Sequence, residues 1–535
     1  MGIFQITNVF ACRLELLLSY FALIRENGGF ENNPLASRKV SVLLGLLAAG
    51  KPVGDKLSSK PYRIDTLGFI SSKIMKTSVF DVIVIGGGQA GIPLAHALAE
   101  ANQKTALIER SHLGGSCVNF GCTPTKAVIA SACVAHLARR AEQFGLRIPT
   151  VEVDFPAVLE RAKSIALESR TSLGKTFKKT DNPQLIRGQA RIVGRDEAEK
   201  FFLVRVNESV LKTKQIVLNT GTRSFIPEIE GIEDVKVVHA GNWLEMNELP
   251  EHIAILGGSY IGLEMSQFYR RMGSRVTVIE TNTRIASRED ADVSKALQKI
   301  LENEKIEFRL KTKLSRVKTK KDGKIMLAFD DSNGAKTLTA SHLFVAVGRK
   351  PNTDDLGLES VGVKLDEKGI VETDERLATS VEGIWAAGDI RGGFQFTHTA
   401  WDDYRILESQ IVGDKSRTTK RIVPYAMFTD PELGRVGLTE AEARATDKTI
   451  KVNCYEMKSN GKAREIGEPI GFIKIIIDAQ TERIIGAAVL ASEGAEMVHE
   501  YVDLMNADAS FTVLRDSVHI HPTLAEAVQS AVKSF

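Results

Sequence analysis

The stretch VFDVIVIGGGQAGIPLAHALAEANQKTALIER, Val79 to Arg110, decides the fold of this chain. It opens on an apolar run, Val79 to Ile85, broken only by Asp81. That is the pattern of a strand buried on both faces. The turn GGGQAG follows and spaces Gly86, Gly88 and Gly91 as GxGxxG. A helix-forming segment comes next, then a second strand, Thr105 to Ile108, ending at Glu109. Strand, glycine turn, helix, strand and acid together make a βαβ dinucleotide-binding unit. The first glycine makes the turn, the second lets backbone approach a pyrophosphate, and the third lets helix and strand pack closely. An acid about 20 positions on can bond a ribose hydroxyl; Glu109 stands there.

A second unit begins at Ile253: IAILGGSYIGLEMSQFYRRMGSRVTVIE. Gly257, Ser259 and Gly262 occupy its three glycine positions, and Glu280 closes its second strand. Ser259 departs from the pattern, yet serine is small enough to allow backbone approach. Between the two signatures lies GGSCVNFGCTPTK, Gly114 to Lys126, with Cys117 and Cys122 close enough to bridge. The spacing predicts a helix with Thr123 as its N-cap and Pro124 at its first position. Cys122 then lies beside the positive end of a helix dipole, which favours a thiolate. A thiolate attacks disulfides, binds soft metals or passes electrons to an adjacent acceptor. Half of a zinc site is another reading of two thiols, but no second pair at finger-like spacing appears.

With these motifs the chain resembles the FAD-dependent pyridine nucleotide-disulfide oxidoreductases, which include dihydrolipoamide dehydrogenase, glutathione reductase and mercuric reductase. The resemblance runs from about Phe80 to Phe535. It extends through IVLNTGT (Ile216 to Thr222), AVGRKPNT (Ala346 to Thr353), SVEGIWAAGDI (Ser380 to Ile390) and HIHPTLAEA, which begins at His519. It implies an α/β fold: two Rossmann-like dinucleotide-binding domains, for FAD and for NAD(P)H, plus a C-terminal α+β dimerisation domain. The implied layout is an extension over 1–74, a flavin domain over 75–224 and 351–422, a nicotinamide domain over 225–350, and a dimerisation domain over 423–535. Within the flavin domain the pattern gives a helix over about 124–144 and a β-meander over 185–219.

The resemblance also implies roles. Cys122 faces the flavin and makes the charge-transfer contact, while Cys117 faces the substrate and does the exchange. His521, held by Glu526, is the catalytic acid–base residue and arrives from the other subunit of a homodimer. Lys126 lies near the flavin ring, and Glu264 is its expected partner, since a buried lysine needs one. Asp389 bonds the flavin side of FAD, and Gly115, Thr220, Gly221, Gly348 and Arg349 join the cofactor-binding set. No metal site is implied. A carboxylate at Glu280 bonds a 2′-hydroxyl and repels a 2′-phosphate, which favours NADH. Arg284 and Arg288 stand near enough to rescue NADPH in part. Cys133 reads as core, and neither Cys12 nor Cys454 is given any chemistry.

Several phrases look most like the mercuric-reductase branch: GCTPTK, SRED (Ser287 to Asp290), THTAWDDYRIL (Thr397 to Leu407) and MFTDPELGRVGLTE (Met427 to Glu440). Against mercury, the tail AVQSAVKSF lacks a vicinal cysteine pair, the N-terminus carries no CxxC domain, and His521 is present. The expected activity is electron transfer from NAD(P)H through FAD to a redox-active Cys117–Cys122 disulfide, and on to a disulfide or other thiol-reactive acceptor. Quinones and copper ions are conceivable acceptors. Reduction of mercury(II) or another metal ion by the same pair is the alternative. A redox-sensing flavoprotein without turnover has less need of His521, and a flavin transhydrogenase leaves both cysteines without a role.

Composition is that of an ordinary globular chain: 535 residues, 43% apolar, 26% charged, net charge +3. So small a charge does not point to nucleic acid or an anionic membrane as partner. Five cysteines do not suggest a secreted disulfide scaffold, and a cycling dithiol suits a reducing compartment, the cytoplasm. Within 1–74, Arg13 and Glu15 interrupt the apolar Phe4 to Ile24, which argues against a spanning helix. Met75 looks like a natural start for this fold. The extension is expected to be a start-site artefact or a poorly ordered leader, an organelle leader being the alternative to a cytoplasmic location.

Overall fold

The computed structural model of the protein describes residues 78–331 and 334–535. The expectations for residues 1–74, Cys12 included, lie outside the described residues.

Val79–Ile85 is the centre of the first sheet. It pairs in parallel with Thr105–Glu109 on one side and Ser209–Leu218 on the other. Gln184–Arg187 extends the sheet beyond Thr105–Glu109, again in parallel. The ten-residue strand Ser209–Leu218 is long enough to serve two neighbours on its outer edge. Its first half runs antiparallel to Phe201–Val206, which pairs with Ala190–Asp196, and its last three residues run parallel to Ile384–Ala386. The meander thus begins at Ala190. The expected first strand of that meander, Gln184–Arg187, belongs to the parallel sheet instead, because its apolar pair Leu185–Ile186 registers against Leu107–Ile108.

The same plan recurs in the second sheet, which is all parallel. Its order is Glu307–Arg309, Arg275–Ile279, His252–Leu256, His342–Val345 and Val237–His239. A three-stranded antiparallel meander, Lys313–Thr319, Ile325–Asp331 and Gly334–Ala340, accompanies it. The third sheet is antiparallel: Tyr425–Met427, Glu432–Gly437, Arg483–Ala491, Phe472–Asp478 and Ile450–Glu456. The helix Gly494–Asn506 buries Met497, Val498 and Tyr501 against Ile473, Ile475 and Val489 of this sheet. No helix among the described residues is long and apolar enough to cross a membrane.

The two glycine turns repeat each other at atomic level. Gly86 and Gly257 both have φ near +108°, a region that side chains rarely adopt. A Cβ on Gly86 would overlap the Asn219 carbonyl oxygen, and one on Gly257 the Ala346 carbonyl. A Cβ on Gly91 or Gly262 would strike the carbonyl of the first glycine of its own turn. Ser259 has φ −104° and an extended backbone, so its position tolerates a side chain. In each unit the strand-end acid accepts a bond from the turn itself: Gly87 N–H to Glu109 Oε2 and Gly258 N–H to Glu280 Oε2, both 2.7 Å.

The helix Phe155–Phe177 is among those that the sequence reading did not give. It is capped by Asp154, which accepts from Ala157 N–H at 3.0 Å. It packs Phe155, Leu159 and Ala162 into a core shared with Ala127, Val128 and Ala132 of the helix Cys122–Arg139, and with Leu263, Phe268 and Tyr269 of the helix Tyr260–Met272. The cysteine-bearing helix is therefore buried against the helix of the second glycine turn.

Gly91→Val and Gly262→Val should each cost about 3 kcal/mol or more, the upper range for overpacking a tight site. Chemical denaturation against wild type checks this; unchanged midpoints would mean that the turns relax without cost.

Candidate active site at the cysteine pair

A short helix, Gly115–Asn119, carries Cys117, and Cys122 is the first residue of the helix Cys122–Arg139. The N-cap is Gly121 and not Thr123, and Pro124 is the third helical residue, not the first. The cause is a fold-back at Gly121. Its N–H donates to Ser116 O at 2.6 Å, and its carbonyl already accepts Thr125 N–H at 3.0 Å. A Cβ at Gly121 would lie 2.8 Å from Ser116 O, so a side chain there would resist this fold-back. Pro124 remains harmless because the first-turn N–H groups have no intrahelical partner. The helix dipole thus acts on Cys122 more directly than expected.

The thiols of Cys117 and Cys122 face a cavity of about 500 Å³. The glycine turn at Gly86 and Gly88, with Glu109, also lines it, as do Gly115, Thr220, Gly221, Arg349 and Asp389. The expected flavin-side residues are therefore drawn from five separate segments to one cavity. Gly91 is not a lining residue; its N–H bonds Asn219 Oδ1 at 2.9 Å. Gly348 stands beside the cavity, its carbonyl accepting Phe225 N–H at 3.0 Å. Asp389 accepts from Thr222 Oγ1 at 3.0 Å and lies 3.4 Å from Arg349 Nη2. Glu109 uses one oxygen for Gly87 N–H and the other for Ser111 N–H, which leaves lone pairs free on both.

The two thiols differ sharply in proton affinity. Cys122 is lowered to about 6, first by a hydrogen bond from the Cys117 thiol, then by the Thr397 hydroxyl and the charge of Lys126. Thr397 Oγ1 lies 3.2 Å from Cys122 Sγ. Cys117 is raised by the same hydrogen bond and by burial. The pair thus holds one proton and one negative charge, with the charge on the sulfur at the helix start.

Lys126 is not among the residues that line the cavity. Its Nζ donates to Glu264 Oε2 at 2.9 Å and lies 4.3 Å from the centre of the Phe428 ring. The other Glu264 oxygen accepts Phe428 N–H at 2.9 Å. Cys133, expected as core, is half-buried beside Arg271 and Asp430, and burial pushes its thiol up to about 12.

In the second unit, Glu280 Oε1 accepts from Asn282 N–H and Asn282 Nδ2 at 2.8 Å each, besides the Gly258 bond to Oε2. Arg284 donates to the carbonyls of Ser287 and Glu289 at 3.0 and 3.2 Å, while Arg288 is exposed. His521 Nδ1 lies 3.1 Å from Glu526, whose carboxyl is held low by Thr523 N–H and then by His521. The His521 side chain is 78% exposed and, like Glu526, lies outside the cysteine cavity of its own chain.

Sequence reading missed three residues that position this site. Asn219, inside the quoted IVLNTGT, bonds Gly91 N–H and donates to Ala387 O at 2.8 Å, tying the glycine turn to the Gly388–Asp389 loop. Asp403 is fully buried and accepts from Gly388 N–H at 2.8 Å and from Arg391. Thr397 is 275 residues from Cys122. A polar residue inside an apolar turn or helix was the only signal that any of them gave.

Comparison with known proteins bears on this geometry. The model of the pyridine nucleotide-disulphide oxidoreductases matches residues 80–403, and that of their dimerisation domain matches 423–532. Dihydrolipoyl dehydrogenase 2 of Arabidopsis thaliana mitochondria is 33% identical over 87% of this chain and 92% of its own. The probable pyridine nucleotide-disulfide oxidoreductase RclA of Escherichia coli is 31% identical over 84% of this chain and 98% of its own. A structure of that protein, a Cu(II) complex of an HOCl-induced flavoprotein disulfide reductase, superposes with a TM-score of 0.77 at 31% identity, covering 85% of this chain and 99% of that one.

Thr397→Val should raise the midpoint of Cys122 ionisation from about 6 by roughly half a unit to one unit, the worth of one hydrogen bond to a thiolate. Cys122 is a thiolate above its midpoint and a thiol below it, so the variant loses thiolate first between pH 6 and 7. Ultraviolet absorbance of the thiolate in the reduced protein, followed against pH, measures this. An unmoved midpoint would deny Thr397 a part in the ionisation.

Proposed function

The chain belongs to the pyridine nucleotide-disulphide oxidoreductase family, and we propose that it is an NAD(P)H-dependent flavoprotein reductase whose Cys117–Cys122 pair passes electrons to a disulfide or another thiol-reactive acceptor. One observation carries the reading: two cysteines, one in a short helix and the other at the start of the next, face one cavity with a glycine turn.

The residues present fit FAD. The side-chain-free turn at Gly86 and Gly88 and the close approach of Gly115 to Gly88 leave backbone open to the cavity. Glu109 would hold a ribose hydroxyl; Thr220, Gly221, Arg349 and Asp389 would hold the other end. When bound, FAD supplies two-electron exchange between reduced nicotinamide and the thiols.

The sulfur chemistry belongs to the chain itself. The Cys117 sulfur gives up its proton and attacks an acceptor disulfide, which releases one thiolate and leaves a mixed disulfide. Cys122 then attacks Cys117, releases the second thiolate and closes the Cys117–Cys122 bond. His521, oriented by Glu526, takes the Cys117 proton and passes it to the first leaving thiolate, and the second thiolate takes its proton from solvent. Because His521 lies outside its own chain's cavity, the reading has it arrive from a second copy through the dimerisation domain. Such a cycling dithiol suits the cytoplasm.

The Cu(II) complex of the E. coli relative favours a second reading, in which a thiophilic metal ion such as copper is the acceptor at the same pair. For the nicotinamide, Glu280 at its strand end favours NADH, and Arg284 is engaged with backbone carbonyls rather than free to meet a 2′-phosphate.

Cys117→Ser should lower turnover of lipoamide or Cu(II) by about a thousandfold or more, as for removal of a reacting group, while NADH still reduces the bound flavin. Retained turnover with both acceptors would sink the reading. In wild type, kcat/KM for NADH should exceed that for NADPH by about tenfold or more, and Glu280→Gln should narrow the gap; equal values would remove Glu280 as the determinant.

A further inference from the structure

The first turn of the helix Thr397–Ile411 separates two cavities. Thr397 and Ala400 line the cavity of the cysteine pair. His398, Thr399 and Asp402 line a second cavity of about 430 Å³, bounded on its other side by residues 416–424. The chemistry above makes no use of this second space.

Its walls are cationic. Arg405, Arg417, Lys420 and Arg421 line it, against one lining carboxylate, Asp402. Arg421 bonds Asp402 and the buried Asp403; Arg405 lies 3.1 Å from Asp402; and Lys420 lies 2.8 Å from Glu375. Four cations thus meet three carboxylates, and Arg417 is left without an ion-pair partner among the described residues. His398 adds no charge at neutral pH, since burial holds its imidazole below the ordinary value, and its Nε2 contacts Pro424 O at 2.7 Å. Hydroxyls are the other feature of the wall. Ser416 and Thr418 line the cavity, and Thr399, only 4% exposed, has a buried hydroxyl oxygen with no hydrogen-bond partner among the described residues.

These properties select a ligand class. An unpaired arginine beside two further cations matches the fork geometry by which guanidinium groups hold phosphate. The volume falls in the range of pockets for small organic molecules, about 300–1,000 Å³, and exceeds the need of a bare ion. We propose that this cavity binds a small phosphate-bearing molecule, its phosphate held on the side of Arg417, Lys420 and Arg421 and its polar remainder by the hydroxyls of Ser416 and Thr418 beside them and of Thr399 on the opposite wall. The site is separate from the nicotinamide and flavin turns, and its occupancy does not depend on the redox role of the cysteines.

Isothermal titration of the FAD-loaded protein, with NAD⁺ saturating the second glycine turn, tests this. The titrants are glucose 6-phosphate, inorganic phosphate and glucose. Expected are saturable binding of a phosphate-bearing titrant, no heat with glucose alone, and binding weakened about tenfold or more in Arg417→Glu, the loss of one charge-assisted contact. Lys318→Glu, an exposed cation on the distant meander, should bind as wild type. Tighter binding of the sugar phosphate than of free phosphate is expected, and equal binding of the two would overturn the part given to the hydroxyls. No saturable binding of either phosphate, or equal affinity in Arg417→Glu and wild type, overturns the proposal. Arg417 is exposed and makes no side-chain contact that the fold needs, so the variant should fold.

Discussion

The ion pair between Lys126 and Glu264 is the joint on which the rest of the structure depends. Lys126 lies one turn beyond Cys122, Glu264 lies in the helix of the second glycine turn, and the second carboxylate oxygen of Glu264 takes the Phe428 N–H at the start of the antiparallel sheet. Three separately built parts of the chain therefore meet at one carboxylate. The Glu264 side chain is only 7% exposed. Removing Lys126 would leave a buried charge without its main partner, which costs about 3–5 kcal/mol. A second clamp runs parallel to it: Arg271 of the same helix lies 2.8 Å from Glu304 and 2.6 Å from Asp430. Beyond it, the buried Glu289 and Arg435 lie 3.2 Å apart, with the hydroxyls of Tyr260 and Tyr425 on the same glutamate. Each clamp joins the second glycine unit to the antiparallel sheet.

Rigidity at this joint has a chemical consequence. Two thiols in water would titrate alike. Here a fixed backbone turn at Gly121 puts one at a helix start and the other where it can donate to it, so a single proton is shared unequally. Thr397 strengthens the inequality from across the cavity, and Asp403 and Asn219 hold the opposite wall by bonding backbone groups of the Gly388 loop and the glycine turn. Small displacements of that wall would alter the thiolate, because hydrogen bonds weaken steeply with distance and angle.

Sequence made much of this readable, and unevenly. The glycine turns and their strand-end acids were legible because few other residues can satisfy positive φ and close backbone approach. Glu264 was expected as the partner of Lys126 from the family resemblance together with the need of a buried lysine for a counter-charge, and the structure sets the two 2.9 Å apart. The helix start was misread at Thr123: the usual preference for threonine as a cap lost to a glycine fold-back that no propensity encodes. The Leu185 strand was misplaced because a short apolar pair looks the same in a parallel and an antiparallel sheet. Thr397, Asn219 and Asp403 stayed invisible because each acts on a group more than ten residues away in sequence, and polarity alone does not say which. His521 shows a different limit. Its bond to Glu526 is local, but its side chain is exposed and lies outside the cysteine cavity of its own chain.

The central claim is that Cys117 and Cys122 form a redox centre in electronic contact with the flavin, and anaerobic titration with NADH, followed by absorption, tests it most directly. The account predicts that the first two electrons per chain produce a long-wavelength thiolate band, and that flavin absorbance is lost only with the next two. Loss of flavin absorbance after two electrons, with no such band, would contradict it.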